Sequence, residues 1–442
     1  MTGARRLLGC AVAAAAIWAG VPGPGVAAPL AHREVLPTGT VLLVAERPAL
    51  PIVVVTVWLR AGSALDPPGA PGLANLTAAL LTRGTAQRSG PALDRAIEFV
   101  GGSLEADTGR DGVTVSLAVL RAHLDLGLDL VAEVLRAPAF AEDEIARKRR
   151  EIEAALERAE EDPESVAARA LGEALYSGHP YGHPVAGTAE SVRRLTRDQI
   201  VAFHRAHYRP DDAVVAVAGD VTLDEARRAI LTRLGSWSPP AAPRASVAMA
   251  PARPPAVSRV LGRELTQATV LLGGPAVRQD HPDYFPLLVA SQALGGGSSS
   301  RLYTRLREDR GLVYSVSSGL APGRSGASLV IALQSRNEAV DEAVRLVREQ
   351  MERVRTQPLG AEELDLARSY LVGSFPLRLD TTGKVARFLI GVEDAGLGVG
   401  YPDVFRQRVA QVTAADVARV AARYLDPARF STIVVRGGVA GR

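Results

Sequence analysis

The chain has 442 residues, 47% of them hydrophobic and 22% charged, with a net charge of +3. That is ample core material, which excludes global disorder, and a charge too close to neutral to suggest a nucleic-acid partner. The single cysteine, Cys10, excludes an intrachain disulfide framework and a cysteine-based zinc ribbon.

In chain order, the first element is a targeting segment over residues 1–28. Arg5 and Arg6 precede an apolar run from Leu7 to Val21, and small residues follow to a cleavage point at Ala27 or Ala28. This is the layout of a secretory signal peptide. The first acidic residue is Glu34, which leaves a mitochondrial presequence as the competing reading; the long alanine-rich run favours secretion, with the periplasm as destination. The stretch LLGC at 7–10 has too little apolar sequence before Cys10 for a lipobox. No later stretch is an apolar span of about 20 residues, so no stable membrane insertion is expected after cleavage.

Two halves follow, 33–236 and 257–442. Between them, 237–256 holds six prolines among small residues and reads as a linker. β-Branched runs mark strands at Thr40–Ala45, Ile52–Leu59, Val113–Val119 and Val214–Val217 in the first half. In the second half they stand at Thr269–Leu272, Val313–Ser318, Leu329–Leu333 and Thr432–Val435. A long amphipathic helix is expected over 141–161, with Ile145, Ile152 and Leu156 on one face. Pro163 starts a second helix, 164–177. The two halves end alike: Thr196, Ile200, Phe203 and Pro210 match Thr413, Val417, Val420 and Pro427 at a constant spacing of 217. The simplest account is an α+β unit duplicated once, giving two homologous domains, each a mostly antiparallel sheet with helices packed on it.

Four segments carry a resemblance: PGLANLTAALLTRGT (71–85), YSGHPYGHPVAGT (176–188), LTRDQIVAFHRAHYRPDDAVVAVAGDV (195–221) and LGGGSSSRLYTRLREDRGLVYSV (294–316). In these the chain resembles the pitrilysin/insulinase family of zinc peptidases, closest in layout to the processing-peptidase type. The resemblance implies that fold and, in catalytic members, an HxxEH helix. There two imidazoles one turn apart chelate zinc, the glutamate acts as general base, and a later glutamate completes the ligand set.

This chain departs from that pattern at every motif position. Asn75, Ala78 and Ala79 stand where His, Glu and His would be, and alanine neither binds a metal nor moves a proton. The later glutamate falls on Ala154 or Ala155, with Glu153 and Glu157 nearby. Leu73, Leu76, Leu80 and Leu81 read as an ordinary buried helix face. His179 and His183 in HPYGHP, and His204 and His207 in FHRAHY, are read as structural rather than metal-binding, since no acidic pair stands at a fixed spacing from them. No metal site is therefore expected in this chain.

What the resemblance implies is retained lies in the second half. The family's Arg and Tyr, seven residues apart, which hold substrate near the zinc, match Arg307 and Tyr314. A guanidinium can bond a peptide carbonyl and a phenol can stabilise an oxyanion. The structural alternative is an exposed helix arginine in an ion pair, followed by a half-buried strand tyrosine. The loop Gly295-Gly296-Gly297 lacks the lysine of a phosphate cradle; it reads as a helix cap or as a substrate-facing loop. No GxSxG elbow is present for a serine hydrolase.

Lost zinc ligands beside a kept Arg–Tyr pair resemble the non-catalytic member of the family's two-subunit enzymes, and that resemblance implies a non-catalytic subunit of a secreted two-subunit metallopeptidase. Its expected partner is a zinc-bearing homologue, and the substrate a peptide or unfolded polypeptide. Two alternatives stand: a scaffold, assembly or peptide-binding protein with no part in catalysis, and an independent metallopeptidase with an unorthodox metal site.

Overall fold

A computed structural model describes residues 29–241, 243–251 and 255–438. The leader expected over 1–28 lies outside these residues, as does part of the linker.

The first half runs β1 (His32–Val35), β2 (Val41–Glu46), β3 (Ile52–Leu59), α1 (Leu73–Leu80), α2 (Gly90–Glu98), β4 (Ser103–Thr108), β5 (Val113–Leu120) and α3 (Leu124–Arg136). It continues with α4 (Glu142–Glu161), α5 (Pro163–Leu175), α6 (Ala189–Arg194), α7 (Arg197–His207), β6 (Ala213–Gly219) and α8 (Leu223–Leu234). The second half runs β7 (Ser258–Gly262), β8 (Gln267–Pro275), α9 (Tyr284–Gly295), β9 (Val313–Pro322), β10 (Ala327–Arg336) and α10 (Val340–Thr356). It ends with α11 (Ala361–Ser374), α12 (Thr382–Asp394), α13 (Tyr401–Gln411), α14 (Ala414–Tyr424) and β11 (Ser431–Arg436). The second predicted helix thus stops at Leu175, where the chain turns into the HPYG loop.

Each half forms one mixed, mostly antiparallel sheet, in the orders β1-β2-β6-β3-β5-β4 and β7-β11-β8-β10-β9. In both, the last strand runs parallel to an early one, β6 to β2 and β11 to β7. The repeat seen in sequence is physical. Thr196 and Thr413 each N-cap a helix through a capping box, with Gln199 and Asp416 as reciprocal partners. Pro210 and Pro427 then each open one turn of 3₁₀ helix that feeds the central strands β6 and β11.

Each sheet lies against its own half's helices on one face and borrows a helix from the other half on its second face. Val385, Ala386, Leu389 and Ile390 of α12 pack on Leu43, Trp58, Val214 and Ala216 of the first sheet. Reciprocally, Val166, Ala167, Leu171 and Leu175 of α5 pack on Leu271, Val330, Ile433 and Val435 of the second. Burial on both faces explains why β6 reads AVVAVAG without alternation, whereas β5, VTVSLAVL, alternates.

The hairpin tips 109–112 and 323–326 meet between the halves. The Asp111 carboxylate accepts from the Tyr181 hydroxyl and from the Arg324 N–H, and the Tyr181 oxygen accepts from the Ser325 N–H at 2.9 Å. Burial, and the bond to Asp111, push the Tyr181 phenol upward, so it stays a neutral donor. The linker has no helix or strand among its described residues, yet it is pinned: His179 Nε2 bonds the Ala248 carbonyl at 2.8 Å, and Ala250 N–H donates to Ser325 at 2.6 Å. No helix among the described residues is long and apolar enough to cross a membrane.

Candidate functional site

Helix α1 sits between the edge strand β4 and the long helix α4. Leu73, Leu76, Leu80 and Leu81 are all buried, so packing fixes its rotation. Asn75 and Ala79, one turn apart, are half-buried on one face, and Ala78 is fully buried. Asp66 holds the helix start: its two carboxylate oxygens accept from Gly72 N–H and Ala74 N–H, each at 2.8 Å. Burial pushes the Asp66 carboxyl up to about 6, against the pull of those bonds and of nearby His183.

The positions that would carry a zinc site do not fit a metal. Asn75 offers one amide, Ala78 and Ala79 offer nothing, and on α4 Glu153 is committed to Arg193 at 3.0 Å. Among the described residues, no cluster of three or more His, Cys, Asp or Glu side chains could hold an ion. His204 Nε2 bonds the Leu135 carbonyl at 2.9 Å, and burial lowers its pKa to about 4. His179 Nδ1 accepts the Tyr181 N–H, and His207 lies against the Phe203 ring.

In the second half α9 takes the corresponding place, between the edge strand β9 and the helix α11. Gly295 ends α9 so close to β9 that a Cβ would lie 2.8 Å from the Ser318 nitrogen. That close approach accounts for the first glycine of the loop. Gly296 is the helix C-cap, and a Cβ on Gly297 would meet only the Gln292 side chain, at 3.9 Å.

Arg307 lies in one π-helical turn, Tyr303–Glu308, ahead of β9. Its Nη1 donates to the Tyr314 carbonyl at 2.7 Å, and the guanidinium stacks over the Tyr303 ring at 5.2 Å. Among the described residues it makes no ion pair of the kind the structural alternative assumed. The Tyr314 side chain is exposed (48%) rather than half-buried. A hydrogen bond from the Arg307 side chain to the Tyr314 main chain therefore ties the two residues together, and the phenol is exposed on an edge strand with no hydrogen bond among the described residues. This pair and the α1 motif face lie in different halves, each beside the edge strand of its own sheet.

Sequence reasoning missed the meeting of the hairpin tips. The signal was there: Gly109-Arg110-Asp111-Gly112 returns as Gly323-Arg324-Ser325-Gly326. It also missed a cluster of arginines around α7, because Arg136 on α3 is remote in sequence from Arg197 and Arg205 on α7.

Comparison with known proteins follows the same division. Residues 41–189 match a family model described as insulinase (peptidase family M16), and residues 194–371 match one described as peptidase M16 inactive domain. An uncharacterised zinc protease of Streptomyces coelicolor is 30% identical over 396 residues, 88% of this chain and 86% of that protein. One from Mycobacterium tuberculosis is 31% identical over 419 residues, 94% and 95%. A non-peptidase homologue of Helicobacter pylori, YmxG, is 27% identical over 364 residues, 80% and 82%. Among solved structures, a peptidase M16 inactive domain from Pseudomonas fluorescens superposes with a TM-score of 0.85 at 28% identity, covering 93% of this chain and 99% of that one.

Proposed function

The chain belongs to the insulinase family, peptidase family M16, and from that premise we propose that it is a secreted, non-catalytic subunit that lends Arg307 and Tyr314 to a zinc-bearing partner of the same family. One observation carries the reading. The helix that would hold zinc keeps its packing but has Asn75, Ala78 and Ala79 for ligands and base, while Tyr314 stands exposed on the edge strand β9. The relatives named as zinc proteases do not change this, because those names describe other chains and the motif positions here are filled by residues without the chemistry.

The partner would supply the zinc and the general base. A peptide or unfolded segment would add as a strand along β9, with main-chain hydrogen bonds giving tolerance of sequence. The Arg307 guanidinium, held by the Tyr314 carbonyl, would bond a substrate carbonyl, and the phenol would donate to the oxyanion of the tetrahedral intermediate. A second reading has one observation in its favour: the Arg307 guanidinium already donates a hydrogen bond to the Tyr314 carbonyl, as a purely structural residue would. In that reading the chain is a scaffold or peptide-binding protein.

Cleavage of a quenched fluorescent peptide library, by this chain and a zinc-bearing homologue apart and together, separates the readings. The expected result is no turnover by this chain alone and strong turnover by the pair. Arg307→Ala with Tyr314→Phe should then cost about 100-fold in rate, the scale of losing an oxyanion donor, with no change in melting temperature. An unchanged rate in the double variant would leave the scaffold reading standing. Chelator-sensitive turnover by this chain alone would overturn both.

A further inference from the structure

A pocket of about 390 Å³ opens where the end of α3, the start and outer face of α7 and residues 237–240 come together. Its volume lies in the range of small-molecule sites. It shares no lining residue with α1, with β9 or with the glycine loop.

The charge around it is one-sided. Arg136, Arg197 and Arg205 line the pocket, and no Asp or Glu does. Most of the other described arginines stand in ion pairs, whereas these three have no carboxylate partner among the described residues. Arg136 donates to the Arg233 carbonyl at 2.9 Å, Arg197 donates to the carbonyls of Phe140 and Ala139 at 2.9 and 3.4 Å, and Arg205 makes no hydrogen bond among the described residues. Neutral acceptors orient two of the guanidiniums and leave all three charges uncompensated. A helix C-terminus explains Arg136 and Arg205, each in the last turn of its helix. It does not explain Arg197, which opens α7 and so opposes that helix's dipole.

The walls are aromatic. Phe140, Tyr208 and Trp237 line the pocket together with His204, whose ring meets Phe140 edge-on at 5.4 Å and Tyr208 at 4.5 Å. Phe140 is the one non-glycine residue with a left-handed backbone among the described residues, φ 47°. Arg197 holds its carbonyl there. A bulky side chain in that region is strained, and such strain collects at binding sites. The Tyr208 hydroxyl is buried with no hydrogen-bond partner among the described residues, a cost to the folded chain. His204 stays neutral near pH 7, so it adds no charge.

We infer that this pocket binds a small planar anion: an aromatic or heteroaromatic ring carrying a phosphate or carboxylate. The ring would lie among the aromatic walls, and the oxyanion would take charge-assisted hydrogen bonds from the guanidiniums, Arg205 foremost because its donors are unused. A bound ligand would tie the first residues of the linker to the helical layer of the first half.

Calorimetric titration and thermal melting of the full chain test this, with AMP and phthalate as probes and adenosine and benzamide as their uncharged counterparts. Binding of either anion, weakening with salt, with the uncharged counterpart at least about tenfold weaker, is the expected result. AMP alone would identify the phosphate source, phthalate alone the carboxylate source. Arg205→Gln should weaken binding about tenfold while leaving the melting temperature of the free protein unchanged, since its side chain holds nothing in place. Arg387→Gln, on an exposed arginine of α12, should leave affinity as it was. Failure of both anions to bind, adenosine matching AMP, or equal losses in the Arg205 and Arg387 variants would overturn the inference.

Discussion

Helices α1 and α9 occupy equivalent places in the two halves, each wedged between the edge strand of its sheet and a long helix. Their fates differ. In α1 the leucine face is buried together with Ala78, and the half-buried face carries Asn75 and Ala79, with no imidazole or carboxylate. In α9 the helix runs into a glycine loop forced by close contact with β9, and the same strand displays Tyr314. Packing is alike in the two halves: each helix buries an apolar face in its own half, and each sheet takes its second face from the other half's helix. The partly exposed positions bear little of that packing, so a change of chemistry there costs the fold little.

The largest expected effect tests that mutual dependence. Leu389 of α12 is fully buried on the first sheet, and Leu171 of α5 is buried on the second. Leu389→Ala and Leu171→Ala should each cost about 2–5 kcal/mol. Because each helix belongs to one half and packs on the other, both variants should melt in a single transition at a lower denaturant midpoint. A variant that unfolds in two separate steps, one half at a time, would show that the halves are stable without the exchange.

Eight of the eleven strands among the described residues and the duplication were legible because their signals are local: β-branched runs, matching threonines at the helix starts, and a proline at the entry to each central strand; the edge strands β1, β4 and β7, with sequences HREV, SLEADT and SRVLG, carry no β-branched run and were not expected. The exchange of α5 and α12 was not, since an amphipathic helix announces a buried face but not the sheet that buries it. At the candidate site, the lost ligands could be read directly from the motif positions. The exposure of Tyr314 and the use of its carbonyl by Arg307 could not, because both depend on β9 being an edge strand. The pocket at α7 escaped for a third reason: Arg136 on α3 and Trp237 in the linker are remote in sequence from Arg197 and Arg205 on α7, and each arginine alone is an ordinary surface residue.

A smaller effect separates structural from functional glycines in the loop that distinguishes α9 from α1. Gly295→Ala places a Cβ against the backbone of Ser318, which cannot yield cheaply, and should cost about 1–3 kcal/mol. Gly297→Ala meets nothing nearer than 3.9 Å and should lie within about 0.5 kcal/mol of wild type by urea denaturation. If Gly297→Ala nevertheless slowed turnover by the proposed pair, the loop would face substrate through Gly297; equal stability losses in both variants would contradict the packing account.

The smallest effect sharpens the comparison through pH. In the first half, burial lowers the His204 pKa to about 4, from an ordinary value of about 6.5. Between those values the unfolded chain holds more protons than the folded one, so the contribution of His204 to stability rises with pH; it is full above about 6.5 and lost as pH falls toward 4. Asp66, pushed up to about 6, has the opposite sign, because the folded chain holds its proton over a range where the unfolded one has released it. In the second half, burial works against the Asp283 charge, but bonds from Arg419 and Tyr424 prevail and hold its carboxyl below the usual range, so its contribution fails only in stronger acid. His204→Gln should therefore narrow the stability gap between pH 7 and pH 4.5 by about 1–2 kcal/mol. Hydrogen exchange should show protection falling first around α7 and α3 as pH drops to 4.5, with the α9–α14 contact holding. Equal acid sensitivity in wild type and variant would mean that the folded protein admits the proton on His204 at little cost, and that burial in the first half is looser than its packing requires.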